Sequence, residues 1–213
     1  MSSISDNLEN IAEQIRREFT ELDAAREKVL PGCREVIRNC SQAIRAVHRQ
    51  EFERAVELLK TARRLLSETE QTVADYSELS NSGFFRDAQK EYAEGSILLS
   101  VVNGKQMPSP GELGVDNAAY LNGVGEAVGE LRRYLLDSMR RDDVSRGEEL
   151  LQVMDDVYSV LATIDFPDAI TGGLRRTTDM VRGVLEKTRS DLTLIMRQKD
   201  LENRLEQTRG DRR

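Results

Sequence analysis

The stretch Gly123–Tyr134, reading GVGEAVGELRRY, constrains this chain more than any other. Leu121, Val124, Val128, Leu131 and Leu135 recur at steps of three and four, which predicts a helix with one apolar stripe. On a helical wheel Glu126 and Glu130 lie about 40° apart, with Gly123 and Gly129 roughly 60° to either side of Glu126. Each glycine inside a helix costs about 1 kcal/mol relative to alanine. A face meeting only solvent would avoid that cost, so these glycines predict a close approach to the backbone opposite the core stripe. A second helix, a ligand or another subunit would each satisfy it. The expectation is a helix buried on two sides and carrying acid on one of them.

The same periodicity runs through most of the chain. Ile4, Leu8, Ile11, Ile15, Phe19 and Leu22 step almost as a heptad, a seam that suits a subunit contact or an internal core contact equally. Pro31-Gly32 predicts a kink or short break before Val36, Ile37, Ile44 and Val47. A second helix is expected over 51–79, ended by Ser80-Asn81-Ser82-Gly83, and a third over 84–102. Asn103–Asp116, with two prolines and three glycines, reads as a loop, and the glycine-bearing helix follows over 117–140. Ser145 with Glu148 has the spacing of a capping box opening a helix to about Thr163. Pro167 and Gly172-Gly173 mark the last junction, before a helix over 174–204 whose charged end frays from about 205. With 4 prolines, 5% aromatics and no Trp, this predicts an all-α fold, an elongated bundle of six to seven helices in one domain, 1–213.

Charge and cysteine content narrow the function. The net charge of −7 argues against a generally basic nucleic-acid coat. Arginine nevertheless recurs in adjacent pairs, among them Arg132–Arg133 and Arg175–Arg176, residues that bind phosphate bidentately or pair with carboxylates on a surface. Cys33 and Cys40, seven apart on a helix, are about 10 Å apart, too far to bridge, and read as buried thiols in a reducing compartment. Met1–Asn10 is polar, without the apolar core of a signal peptide, and the run Ser96–Val102 is too short to span a bilayer. A soluble cytoplasmic protein with no membrane partner is expected.

Carboxylates carry the remaining chemistry. His48, the single histidine, reads as a surface or capping residue ahead of a catalytic one. One histidine and two cysteines exclude a histidine-rich zinc site, and no phosphate-binding loop or nucleophile elbow occurs. Glu91 and Glu94 share a helical face that continues through Leu98 and Val102. They either enter a buried seam or emerge into solvent, and 38 acidic residues supply about seven such pairs by chance. With Glu126 and Glu130 they form an all-oxygen set that suits Mg²⁺, or Mn²⁺ as substitute, if the two helices pack face to face.

The segment Tyr120–Arg146, YLNGVGEAVGELRRYLLDSMRRDDVSR, resembles the translin and translin-associated factor X family. Lys90–Gly95, KEYAEG, is similar to that family's QEYVEA, and Leu174–Asp179, LRRTTD, to its LRKRYD. The similarity is good over 84–192 and holds only by pattern before that. The resemblance implies a helical fold assembled into a hollow closed octamer with RNA, single-stranded, inside. It implies a factor-X-like subunit of the archaeal type, assembling without a translin partner and acting as a Mg²⁺-dependent endoribonuclease. Carried over by position, the catalytic residues are Glu91, Glu94, Glu126 and Glu130. The first three hold the metal and Glu130 assists as ligand or base. Glu126 stands where the family usually has Asp, one methylene longer. Arg86, Lys90, Arg132 and Arg133 are the candidate RNA-binding residues.

The alternative is a translin-type oligomer that binds single-stranded RNA or DNA without cutting it. An all-α nucleotide pyrophosphohydrolase ranks lower, because the second acidic pair is spaced by four rather than three. A ferritin-like di-iron site would need two ExxH motifs, which are absent.

Overall fold

The structure, a computed structural model, describes residues 2–210, with side chains described over 6–208. Among these residues there are nine helices and no strand. Six are long: α1 (Ser2–His48), α2 (Phe52–Val73), α4 (Gly83–Val102), α6 (Asn117–Arg140), α7 (Gly147–Ala162) and α9 (Leu174–Gly210). Three are single turns: α3 (Ser77–Ser80), α5 (Pro110–Leu113) and α8 (Asp168–Thr171). No helix among the described residues is long and apolar enough to cross a membrane.

The middle of the bundle is α4, against which α1, α2 and α6 pack, while α7 and α9 cover the far side of α6. Small residues let these helices approach closely. Ala43, Ala55, Ala62, Ala88, Ala93 and Ala127 are all fully buried. Gly95 belongs to the same set, since a Cβ there would lie 3.1 Å from Leu59 Cδ2. The stripe expected on α6 is the one buried: Val124, Val128, Leu131 and Leu135 are in the core, with Leu121 partly covered. Arg146 closes the C-terminal end of α4, donating to the carbonyls of Val101 and Val102 while pairing with Glu149. The Val101 carbonyl also accepts from the Gly104 amide, so Arg146 adds a charged donor to the α4 C-terminus.

Several local expectations are corrected. Helix α1 runs unbroken through Pro31; α2 packs against it so closely that a Cβ on Gly32 would lie 2.8 Å from Thr69 Oγ1. Tertiary packing thus outweighs the hydrogen bond lost at proline. The second helix stops at Val73 rather than Leu79, because the chain turns extended at Tyr76 before the single turn α3. Ser145 caps nothing: its hydroxyl and amide both donate to Asp143, and α7 begins two residues later. The capping box lies instead at Ser109 and Glu112, opening α5 inside the expected loop. Helix α9 extends to Gly210 rather than Arg204, and 211–213 lie outside the described residues. Both cysteines are buried and unpaired.

The seam at the start of α1 is not internal core. Leu8, Ile11, Ile15 and Phe19 are exposed, Phe19 by 67%, and Ile4 lies outside the residues whose side chains are described. Leu194, Met196, Leu201 and Leu205 near the end of α9 are exposed as well.

Candidate metal centre and nucleic-acid interface

The crossing of α4 and α6 builds the site. Gly123 is the contact point: a Cβ there would meet the Lys90 carbonyl oxygen at 2.7 Å and the Glu94 amide nitrogen at 3.1 Å. Backbone-to-backbone approach of this kind places the carboxylates of the two helices on one wall. One oxygen each from Glu91, Glu94 and Glu126 lies within 4.8 Å of the other two. Glu94 is buried, so the Glu91–Glu94 face enters the seam and does not emerge into solvent. The longer Glu126 still reaches the triangle. Gly129, the other glycine of the pair, has nothing within 4 Å and faces open space.

Electrostatics mark the triangle as short of positive charge. Burial, and then the charges of Glu91, Glu126 and Glu130, raise the Glu94 pKa to about 8, with Lys90 opposing. Glu91 is raised by burial first and then by Glu126. The Cys40 thiol beneath is pushed up by burial and by the charges of Glu91 and Glu94. Lys90 is the local counter-charge, its Nζ 2.8 Å from Glu126 Oε1. Burial lowers its pKa, but the hydrogen bond and charge of Glu126 outweigh this and the net shift is upward. Oxygen donors held close at the expense of mutual repulsion fit a divalent cation, whose charge would relieve it.

Glu130 stands beside the triangle. Its Oε2 lies 2.5 Å from His48 Nε2 and 3.6 Å from Arg133 Nη1. The hydrogen bond from His48 is the main cause of a lowered Glu130 pKa, offset by burial and helped by the nearby Arg133 guanidinium. His48 is therefore neither a surface nor a capping residue: its imidazole is 6% exposed and paired across to α6. The signal for it was present, because Ser41, Ile44, Arg45 and His48 follow the i, i+3, i+4, i+7 pattern of one helical face.

Two clefts meet at Glu126 and Met180. One, of about 630 Å³, is lined by Ser41, Arg45, Arg133 and all four glutamates. The other, of about 660 Å³, is lined by Arg86, Lys90 and Arg176 among others. Three of the four expected RNA-binding residues thus line the clefts. Arg132 does not. It points to α9, where it donates to Thr188 Oγ1 at 3.1 Å and to Asp191 at 2.7 Å. Arg45 lines the first cleft and Arg176 the second; Arg176 is exposed and has no ion-pair partner among the described residues.

No protein-family model matches the chain. The uncharacterised protein MJ0175 of Methanocaldococcus jannaschii is 30% identical over 189 residues, which cover 86% of this chain and 82% of that one. The crystal structure of AfC3PO, a translin/TRAX-like protein, is 34% identical and overlays with a TM-score of 0.80 over 87% of this chain and 96% of that one. The chain belongs to the translin/translin-associated factor X family. AfC3PO in complex with duplex RNA matches with a TM-score of 0.76 at the same identity and coverage. Apo-NeC3PO shares the fold at 19% identity, with a TM-score of 0.77 over 86% of this chain and 96% of its own. In this chain the GEL run places Glu130 beside His48, and the KEYAEG segment supplies Glu91 and Glu94 to the triangle.

Proposed function

We propose that this translin-family protein is a Mg²⁺-dependent endoribonuclease of the factor-X type, with Mn²⁺ able to substitute. The convergence of Glu91, Glu94 and Glu126, from two helices, within 4.8 Å of one another carries this reading. These three carboxylates hold the cation. When bound, it lowers the pKa of water and neutralises charge developing on a phosphodiester. Glu130, kept ionised by its donors, takes a proton from the attacking water as general base. Arg45 and Arg133 face the same cleft and bind the phosphate under attack, while Arg86, Lys90 and Arg176 bind the flanking strand in the second cleft. The reaction adds water across the phosphodiester, giving one alcohol end and one phosphomonoester end.

The whole chain acts in this reading as one translin-like domain, cytoplasmic, in a closed octamer-like homo-oligomer. The exposed apolar seams of α1 and α9 support burial against other copies. Local basic charge on the inner wall reconciles RNA binding with a net charge of −7. The substrate is single-stranded RNA; duplex RNA, which AfC3PO binds, is the comparison substrate. The deciding experiment is cleavage of both RNAs with and without Mg²⁺, using wild type, Glu94→Ala and Glu126→Gln. Mg²⁺-dependent cleavage lost in both variants, with RNA binding intact, is expected. Binding without cleavage in the wild type would leave the translin-type binding oligomer.

A further inference from the structure

Three acidic side chains converge, and the fourth is held aside by a helix that carries no acid to the site. His48, in the last turn of α1, reaches Glu130 Oε2 at 2.5 Å with the carboxylate only 25% exposed. Arg133 approaches the same oxygen. Among the described residues nothing bonds to Glu130 Oε1, which belongs to the residue lining the acidic cleft. His48 Nδ1 is buried and has no partner. A proton on Nδ1 would bury an unsatisfied donor, at a cost of about 1–3 kcal/mol. A ring protonated on Nε2 alone leaves there only a bare lone pair, while Nε2–H donates to Glu130.

We infer that His48 is a positioning residue: its Nε2–H fixes Glu130 Oε2 outside the metal triangle and leaves Oε1 free to receive the proton of the attacking water. The inference rests on the hydrolytic reading of the site and adds to it the reason that Glu130 serves as base and not as a fourth metal ligand. A hydrogen bond from a buried ring, with the Arg133 guanidinium 3.6 Å from the same oxygen, limits the rotation of the carboxylate, and such outer contacts orient functional groups. His48 itself touches neither cation nor substrate in this scheme.

The test uses the full chain and three variants. His48→Gln keeps an N–H at about the reach of Nε2; His48→Leu fills the space without a donor; His48→Asn donates from too short a side chain and replaces Leu if that variant does not fold. His48→Leu is expected to lower kcat for RNA cleavage by about 10- to 100-fold. KM for RNA and Mn²⁺ affinity, followed by electron paramagnetic resonance, should stay within about twofold. His48→Gln should recover most of the loss, and His48→Leu added to Glu130→Gln should lower kcat no further. An unchanged kcat per folded molecule, or Mn²⁺ affinity falling in step with kcat, overturns the assignment. If the wild type binds Mn²⁺ yet cuts no RNA, the nuclease reading fails separately, and the contact is then read from melting. Shifts in Tm for His48→Leu and Glu130→Gln that are less than additive support the hold on Glu130; additive shifts overturn it.

Discussion

Gly123 faces the backbone of Lys90 so closely that a methyl group on it would stand 2.7 Å from the Lys90 carbonyl oxygen. The neighbours on that side are the Glu94 amide nitrogen and the Ala93 Cβ, neither of which moves without moving α4. Gly123→Ala is therefore expected to destabilise the fold by about 1–3 kcal/mol and to weaken Mn²⁺ binding, because it pries apart the helices that carry the triangle. Gly129→Ala, with nothing within 4 Å, should instead stabilise by about 0.5–1 kcal/mol. Urea titrations of both variants decide this; equal effects would mean that the crossing does not depend on Gly123.

Stability of the metal-free protein should fall as pH rises across neutrality. Glu94 titrates at about 8 in the fold against 4.5 ordinarily, mainly because it is buried. A carboxyl with a raised folded pKa contributes stability that is complete below the unfolded value and is lost as pH climbs through the folded one. Between about pH 5 and pH 8.5 the loss from Glu94 is on the order of a few kcal/mol. Glu130, shifted downward, works oppositely and loses its contribution only on acidification. Adding Mg²⁺ or Mn²⁺ should raise Tm at pH 8.5 and do little at pH 5, and Glu94→Gln should flatten both responses. A Tm indifferent to metal at pH 8.5 would count against a cation at the triangle.

Lys90 competes with any cation for Glu126. Lys90→Met is expected to tighten Mn²⁺ binding about tenfold by removing a repulsive charge. The same change should lower stability without metal, since three crowded carboxylates lose their counter-charge. Calorimetric titration at fixed pH measures the first effect and thermal melting the second. Weaker metal binding in this variant would show that Lys90 supports the site by some other means.

Arg132 and Arg176 are expected to separate cleanly. Arg132→Gln removes the donor to Asp191 and Thr188 and should cost about 1–2 kcal/mol of stability with RNA affinity unchanged. Arg176→Gln should leave stability alone, weaken RNA binding and reduce the salt dependence by about one phosphate contact. Filter binding at several salt concentrations reads both. RNA affinity lost in the Arg132 variant would return that residue to the interface.

Long apolar periods were legible from one end of the chain to the other. The bounds of α4 and α6, the buried stripe Val124–Leu135 and the need for something close to Gly123 all follow from spacing, because an amphipathic helix must bury its stripe wherever it docks. Short-range chemistry misled where several partners were equally near. Ser145 chose Asp143 over the start of α7, and Pro31 stayed in a helix that α2 supports along one side. Neither choice is written in the local residues, since each depends on what packs alongside.

The sequence by itself determined an all-helical chain, the buried stripe of α6, and which four carboxylates have the family's spacing, whereas Val56 and Met180, on the apolar stripes of α2 and α9, are exposed. Only the tertiary structure decided that Glu91, Glu94 and Glu126 meet while Glu130 turns to His48. It likewise decided that Arg132 serves α9 and that Arg45 and Arg176 face the clefts. The reason is geometric. A helical repeat gives the direction of a side chain around its own axis, but the partner it meets depends on how two axes cross, and that crossing is set by close packing at residues such as Gly123.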